Sequence, residues 1–241
     1  MYTRRQRFAA ECLGTFGVVL FSAGAVCAGR FMRGGNPNEI GLLGVALAYG
    51  LAYGAMAMGT GQISGGHLNP AVTIGYWVTR KLNTFDFIGY CVAQLAGAVA
   101  AAYLLRFIIP EDAWRAAALG APDLATGLTR TPGMLIEAVL TFFLVLVVFA
   151  TSAASGGAGI GITGTMSAGL AVTLIVSAGV LFGGPFTGAA MNPARAFGPA
   201  VAAHHWANHA VYWVGPLAGG VLAAWLHDML FSRTRSRTRP A

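Results

Sequence analysis

Two segments of this chain, Ser64-Gly-Gly-His-Leu-Asn-Pro-Ala71 and Thr187-Gly-Ala-Ala-Met-Asn-Pro-Ala194, are nearly the same and lie 123 residues apart. Each begins with a glycine-containing stretch and continues into an apolar segment, at residues 68–78 and 191–203. A helix needs about 20 apolar residues to cross a bilayer, so neither apolar segment is long enough. Both are therefore predicted to enter the membrane as short helices that do not cross it.

The similarity between the two halves extends beyond these segments. Tyr90-Cys-Val-Ala-Gln-Leu-Ala-Gly97 matches Tyr212-Trp-Val-Gly-Pro-Leu-Ala-Gly219, and Glu11 in the first half matches Glu137 in the second. The chain is therefore predicted to be a tandem duplication. We place the first repeat at about residues 8–109 and the second at about residues 132–231.

The composition is that of a membrane protein. Hydrophobic residues make up 56% of the 241 residues and charged residues only 10%, whereas soluble domains carry about 25% charged residues. A soluble enzyme with an added anchor is excluded, because no stretch outside the apolar runs is long enough to fold alone. The predicted spans are residues 8–29, 40–59, 85–109, 134–153, 161–183 and 211–231.

Each repeat contains three spans, which is an odd number, so the second repeat must enter the membrane from the opposite face. The two short helices then approach each other from opposite sides, an arrangement that places binding sites near the middle of the membrane. The sequence therefore predicts an all-α membrane protein of one transmembrane domain over residues 1–241, built as an inverted repeat.

The positive charges are distributed as membrane topology requires, which removes the nucleic-acid interpretation of the net charge of +7. Nine of the fifteen basic residues lie in three places: Arg4, Arg5, Arg7, Arg80, Lys81, Arg233, Arg235, Arg237 and Arg239. An even number of spans puts both termini on one side, so both termini and the basic tail 232–241 are predicted to be cytoplasmic, where the tail can contact anionic lipid. Residues 110–132 form the predicted outer loop.

Each Asn-Pro-Ala sequence is typical of a helix start. Asn69 and Asn192 are suited to cap the helix, while Pro70 and Pro193 occupy the first turn, where a missing N–H costs nothing, and Ala71 and Ala194 follow as small helix formers. An Asn whose oxygen accepts a backbone N–H keeps its NH2 as a donor, which we expect to face a lumen. Two such caps and two helix N-termini would bind a neutral, oxygen-bearing solute and repel cations.

The sequence resembles the aquaporin, or major intrinsic protein, family, through His67-Leu-Asn-Pro-Ala-Val-Thr73, Met191-Asn-Pro-Ala-Arg-Ala-Phe-Gly-Pro199 and the paired glutamates. The resemblance covers residues 11–225. It implies a bundle of six tilted spans and two re-entrant half-helices, assembled as a homotetramer with one pore per subunit in the plasma or inner membrane of the cell. It also implies passive flow of water or small neutral solutes, without protons or ions.

In this family a filter of four residues lies toward the outer mouth. Counted from the Asn-Pro-Ala motifs, the filter falls here on Tyr49, Val180, Ala189 and Arg195. Water-selective members carry Phe, His and a small polar residue or Cys at the first three positions, so this set resembles the wider filter of plant nodulin-type intrinsic proteins. Glycerol, urea or a metalloid acid is therefore expected to pass together with water.

Other positions favour a strictly water-selective aquaporin, which stays open as the alternative. Ala196, Ala200, Tyr212 and Trp213 resemble the set found in water channels, and glycerol facilitators carry Asp where Ala196 stands.

Non-helical backbone at membrane depth persists only where it lines a cavity or is buried in protein. The carbonyl groups of the two glycine-containing stretches are therefore expected to form a ladder of acceptors along one pore wall, opposite an apolar wall. The ladder residues are Gly65, Gly66, His67, Gly188, Ala189 and Ala190. His67 is expected to position its loop rather than to sense protons.

A buried acid is unfavourable in a bilayer, by about 2.5–3.5 kcal/mol on insertion scales, so Glu11 and Glu137 need a reason to be there. One acid per repeat suggests a structural role as acceptor for the loop beside it; a remote alternative is a proton relay in a coupled transporter. The histidine and cysteine spacings predict no enzyme activity, no cofactor and no metal site.

Overall fold

The computed structural model describes residues 2–33, 41–154 and 162–231, and the tail 232–241 that was predicted to be cytoplasmic lies outside these ranges. Within them the secondary structure is helical, without strands. The helices are α1 (Arg4–Arg33), α2 (Leu42–Ser64), α3 (Pro70–Val78), α4 (Thr84–Ile108), α5 (Glu111–Ala116), α6 (Arg130–Ala154), α7 (Ile162–Thr187), α8 (Pro193–Ala203) and α9 (Val211–Phe231).

Six of these helices, α1, α2, α4, α6, α7 and α9, are long and apolar enough to cross a membrane. They coincide with the six predicted spans, so that prediction is confirmed. Large apolar side chains such as Leu13, Val92, Phe107 and Leu135 are exposed on their outer faces. These side chains form the surface that contacts lipid.

The two halves pack in the same way, which confirms the inverted repeat. In the first half, α4 lies against α1 at Gly97, where an added Cβ would overlap the carbonyl oxygen of Cys12. In the second half, α9 lies against α6 at Gly219, where an added Cβ would overlap the carbonyl oxygen of Ala138. Small residues allow such close approach of helix backbones in lipid, and the duplicated sequence supplies one to each half.

The short helices α3 and α8 begin at the two Asn-Pro-Ala sequences. The side-chain oxygen of Asn69 accepts the N–H of Ala71 at 2.8 Å, and that of Asn192 accepts the N–H of Ala194 at 3.0 Å. Both asparagines have extended backbone and are followed by proline in the first turn. The predicted helix caps are therefore present in the structure.

The connection between α4 and α6, predicted as the outer loop 110–132 and therefore named the outer connection, contains more structure than a loop. It includes α5 and a 3-10 turn, Ala118–Gly120. Acidic residues in the first turn of α5, Glu111 and Asp112, favour the helix because they oppose its dipole. The next spanning helix begins at Arg130, so Pro132 lies in its first turn, where no N–H donor is needed.

Candidate functional site

The loop of the first repeat, residues 64–69, is held by the buried carboxylate of Glu11. One oxygen, Oε1, accepts the N–H of His67 at 3.0 Å and the hydroxyl of Ser64 at 2.6 Å. The other, Oε2, accepts the N–H of Leu68 at 2.7 Å and the amide of Gln94 at 2.7 Å. Glu11 therefore supplies acceptors to backbone donors that no helix satisfies.

Glu137 holds the loop of the second repeat, residues 187–192, in the same manner. Its Oε1 accepts the hydroxyl of Thr187 at 2.7 Å and the N–H of Ala190 at 2.9 Å, while Oε2 accepts the N–H of Met191 at 2.7 Å. A carboxylate accepts hydrogen bonds without donating any, so it suits a loop whose N–H groups converge on one point.

Both loops contain strained backbone. Leu68, Ala189 and Met191 have φ values of 54°, 45° and 51°, a left-handed conformation that is unfavourable for residues with a Cβ. Such strain persists where the surroundings determine the conformation. Here the hydrogen bonds to Glu11 and Glu137 provide that constraint.

The two loops meet through their asparagines. Nδ2 of Asn69 donates to the carbonyl of Met191 at 2.8 Å, and Nδ2 of Asn192 donates to the carbonyl of Leu68 at 2.9 Å. The sequence had suggested that both N–H groups of each amide would be free. Instead, one N–H of each amide joins the two loops, which leaves the second as the donor for a permeating molecule.

Two tyrosines of α2 donate hydrogen bonds to the loops, one to a carbonyl group of each loop. The hydroxyl of Tyr49 donates to the carbonyl of Ala190 at 2.6 Å, and the hydroxyl of Tyr53 donates to the carbonyl of His67 at 2.8 Å. The wall that was expected to be apolar therefore carries two hydroxyl groups. Sequence reasoning missed Tyr53, although it lies four residues after Tyr49 and so on the same face of the helix.

The remaining residues of the predicted ladder lie in the same two loops. Gly65, Gly66 and Gly188 have positive φ, with values of 98°, 62° and 77°. A side chain would be strained at these angles, and glycine adopts them readily. The glycines therefore allow the backbone to turn back toward the centre of the bundle.

Arg195, in the first turn of α8, is only 3% exposed. Its Nη1 donates to the carbonyl of Gly120 in the outer connection at 2.8 Å, and its Cζ lies 5.6 Å from the ring centroid of Tyr49. Its Nε is buried and has no hydrogen-bond partner within the described residues. No sequence signal identified Gly120, because the contact joins residues 75 positions apart.

The other two predicted filter residues, Val180 and Ala189, are buried in the same apolar cluster as Tyr49. The structure therefore brings Tyr49, Val180 and Ala189 together and places Arg195 beside the tyrosine ring.

His67 is packed among aromatic and polar side chains. Its Nδ1 lies 3.3 Å from the hydroxyl of Thr73, its ring stacks on Tyr76 at 4.4 Å, and its edge faces Tyr90 at 5.2 Å between ring centroids. These contacts fix the ring behind the loop and support the expected positioning role.

A tyrosine behind each loop completes the symmetry. The hydroxyl of Tyr90 donates to the carbonyl of Ser64 at 2.7 Å, and that of Tyr212 donates to the carbonyl of Thr187 at 2.9 Å. The sequence match between residues 90–97 and 212–219 contained this pair, although its role was not recognised.

A polar cluster at the outer connection surrounds Asp123. Its carboxylate accepts hydrogen bonds from the N–H of Leu124 at 2.8 Å and from Asn208 at 2.9 Å, and it lies 3.0 Å from Nε2 of His205. Burial raises the pKa of Asp123, but the hydrogen bonds from Asn208 and Leu124 and the nearby His205 together bring it below its ordinary value. Asp123 is therefore a carboxylate at neutral pH.

Comparison with known proteins identifies the relatives of this chain. The model of the family described as Major intrinsic protein matches residues 2–227. Aquaporin TIP4-4 of Zea mays is 44% identical over 229 residues, which cover 92% of this chain and 85% of that protein. Aquaporin-4 of Mus musculus is 38% identical over 222 residues, which cover 92% of this chain and 66% of that protein.

The fold is also similar to that of a solved structure, the X-ray structure of the aquaglyceroporin from Plasmodium falciparum. The TM-score is 0.78 at 24% sequence identity, and the match covers 95% of this chain and 98% of that chain. The fold class predicted from the sequence, an aquaporin-like bundle of six spans and two half-helices, is confirmed.

Proposed function

This chain belongs to the major intrinsic protein family, and from that premise we propose that it is a passive channel for water and small uncharged solutes, of the glycerol, urea or metalloid-acid type, that excludes protons and ions. Family membership makes the protein a multi-pass membrane channel and not an enzyme.

The observation that carries this proposal is the meeting of two capped half-helices. Asn69 and Asn192 each donate one N–H to the opposite loop and keep one N–H. The N-termini of α3 and α8 lie directly behind these amides, and each is equivalent to roughly half a positive charge. A neutral molecule with an oxygen acceptor is favoured at this point, whereas a cation or hydronium is repelled.

The filter residues Tyr49, Val180, Ala189 and Arg195 are proposed to select solutes outward of the asparagines. Arg195 is held by Gly120, which leaves its Nε N–H for a permeating oxygen. Val180 and Ala189 are small and apolar, so they can contact the C–H groups of a linear polyol and leave room for a molecule of the size of urea. This set supports a solute range wider than water.

The carbonyl ladder is proposed to provide acceptors on both sides of the asparagines. The carbonyls of His67 and Ala190 each accept one tyrosine hydroxyl, and a carbonyl oxygen has a second lone pair for a passing N–H or O–H. Together with Gly65, Gly66, Gly188 and Ala189, these groups would replace part of the hydration shell of the solute.

A strictly water-selective aquaporin is the second candidate. It is favoured by the Tyr49 hydroxyl, which reaches across to the carbonyl of Ala190 and reduces the width beside Arg195. A proton-coupled transporter finds no comparable support, because Glu11 and Glu137 are engaged with loop donors through both of their oxygens.

We also propose one channel domain over residues 1–241, with repeats at 8–109 and 132–231, a homotetrameric assembly, and a plasma or inner membrane location with both termini cytoplasmic. Arg4 and Arg7 form ion pairs with Asp86, and Lys81 forms one with Asp228. These contacts place the N-terminus, the start of α4 and the end of α9 at the same end of the bundle. A basic end of this kind faces the cytoplasm by the positive-inside rule.

Stopped-flow light scattering on proteoliposomes tests the proposal. Water, glycerol, urea and a metalloid acid are compared in one preparation, with empty liposomes as the reference. We expect faster water and solute flow and no proton or potassium conductance in planar bilayers. Flow of water alone would favour the second candidate, and ion conductance would contradict both.

The filter assignment has a separate test. Replacing Val180→His together with Ala189→Thr is expected to suppress glycerol and urea flow and to leave water flow in place, because both changes add bulk and polarity beside Arg195. The single change Val172→Ile, in the same apolar cluster and two helical turns from Val180, is the control. Unchanged glycerol flow in the double variant would contradict the assignment.

A further inference from the structure

We propose that Tyr53 forms a second, inner constriction of the pore, which limits the passage of solutes larger than water in addition to the four outer filter residues. The inference rests on the proposed channel function and concerns the size selection within it.

Tyr49 and Tyr53 lie one turn apart on the same face of α2, about 6 Å along the helix axis. Their rings are nearly parallel, with centroids 6.4 Å apart and an interplanar angle of 29°. Both belong to the buried cluster that contains Val180, Ala189 and Met191, and Tyr53 is 0% exposed. Tyr53 therefore extends the aromatic wall of the filter one turn deeper into the molecule.

The two hydroxyl groups bind equivalent carbonyls of the two repeats. Tyr49 donates to Ala190 at 2.6 Å, and Tyr53 donates to His67 at 2.8 Å; His67 and Ala190 occupy the same position in the duplicated loops. The loops enter from opposite faces and meet at Asn69 and Asn192. One hydroxyl therefore lies on each side of the asparagine pair, and that of Tyr53 lies on the inner side.

The helix that carries both tyrosines is fixed against α7. Gly50 and Gly54 each follow one of the tyrosines, and a Cβ at either position would overlap α7, at Ser177 and at Thr173. The Gly-x-x-x-Gly spacing is typical of close helix packing in membranes. The backbone behind Tyr53 therefore holds its ring toward the loops.

This geometry imposes a cost that depends on solute size. A water molecule is small enough to hydrogen-bond beside the phenol, whereas a polyol or urea must displace the Tyr53 hydroxyl from the His67 carbonyl. The solute can replace the donor at the carbonyl, but the displaced Tyr53 hydroxyl then has no acceptor, so one net hydrogen bond is lost. In the outer filter, the hydroxyl of Tyr49 makes the equivalent bond to the carbonyl of Ala190 at 2.6 Å, so a solute larger than water meets one such bond on each side of the asparagine pair.

The test compares Tyr53→Leu and Tyr53→Phe with the native protein in stopped-flow measurements of water and glycerol on the same proteoliposomes. Tyr53→Phe keeps the ring and loses only the hydroxyl, so the ratio of glycerol to water permeability is expected to rise by about two- to tenfold, which corresponds to one net hydrogen bond. Tyr53→Leu, which also removes the ring, is expected to raise the ratio further.

Tyr90→Phe is the matched control, because its hydroxyl also donates to a loop carbonyl, that of Ser64, but from α4 behind the loop. Its ratio is expected to equal that of the native protein. An unchanged ratio in both Tyr53 variants, with water conduction retained, would overturn the inference and leave the channel function intact. A native protein that conducts neither water nor solute would instead contradict the channel function itself.

Discussion

The two re-entrant loops are built by the same rule and used in different ways. Each begins its half-helix with an Asn cap, and each has its converging N–H groups bound by one buried glutamate, Glu11 or Glu137. Tyr90 and Tyr212 support the two loops from behind in equivalent positions. The shared features are therefore those that hold irregular backbone at membrane depth, where no water satisfies it.

The differences lie in the side chains around that backbone. In the first repeat, Gln94 donates to Glu11 and to Thr73, and Thr73 lies beside His67. The equivalent positions in the second repeat are occupied by Pro216, Ala196 and Ala190.

At the position of Arg195, the proposed filter arginine, the second repeat carries the polar residue and the first repeat the apolar one. Arg195 stands in the second repeat where the first repeat carries the buried Val72. The caps, the glutamates and the supporting tyrosines are therefore common to both loops, whereas the neighbouring positions differ: they form a polar cluster in the first repeat and carry the proposed filter arginine in the second.

The largest effect is expected when a glutamate is removed, because both loops depend on this acceptor for their N–H groups. Glu11→Ala and Glu137→Ala each leave at least two buried N–H donors without acceptors, at about 1–3 kcal/mol per donor. We expect loss of most of the folded protein, measured by fluorescence-detected size exclusion. Thr141→Ala, which removes only a hydroxyl bond to the carbonyl of Glu137, is the control and should fold. Similar yields for all three variants would show that the loops do not depend on the acids.

The next prediction concerns the proposed filter. Replacing Arg195 with valine gives the second repeat the residue that the first repeat carries at the equivalent position, Val72. Arg195→Val should fold, but it removes a buried charge and its donors. We expect proton conductance to appear and glycerol flow to rise by about tenfold, equal to about 1.4 kcal/mol of barrier. Arg106→Met is the control, since Arg106 binds the carbonyl of Ala202 and stacks on Trp114. If proton and glycerol permeability stay at native values, Arg195 does not line the pore.

A smaller effect is expected when the first repeat loses its additional donor. Gln94→Leu leaves Glu11 with the bonds from its own loop, as in the second repeat, and removes the bond to Thr73. Destabilisation of about 1–2 kcal/mol is expected, measured as a lower thermal midpoint, with water conduction retained. A variant that fails to fold, like Glu11→Ala, would show that the first loop requires the whole polar cluster.

The smallest effect concerns Asp123, which stabilises the outer connection near the second loop. This connection also binds α7 through the N–H of Ala125 and the carbonyl of Phe186 at 2.8 Å. Because the pKa of Asp123 is lowered in the folded protein, its contribution is present above the ordinary carboxyl pKa of about 4 and is lost as the pH falls through the lower folded value.

Thermal midpoints of the native protein and of Asp123→Asn test this contribution. The native protein is expected to be slightly more stable at pH 7, and the difference should disappear as the medium is acidified below about pH 4. A difference that persists unchanged at acidic pH would mean that the Asp123 charge has no part in it.

The sequence by itself determined the elements that depend on local pattern. Six apolar runs, two Asn-Pro-Ala starts and the paired glutamates are visible in the order of residues, because span length, helix capping and the match between repeats are properties of short segments. The exception was the connection 110–132, where the six-residue helix α5 depends on only two acidic residues and gave too weak a signal.

Only the tertiary structure decided how distant residues share hydrogen bonds. The bonds from Asn69 to Met191, from Arg195 to Gly120 and from Tyr53 to His67 join segments that come together when the helices pack. No short segment encodes them, because a carbonyl acceptor is present in every residue and its partner is chosen by the packing of the bundle. The two loops could therefore be predicted from the sequence, whereas the donors that occupy their carbonyls could not.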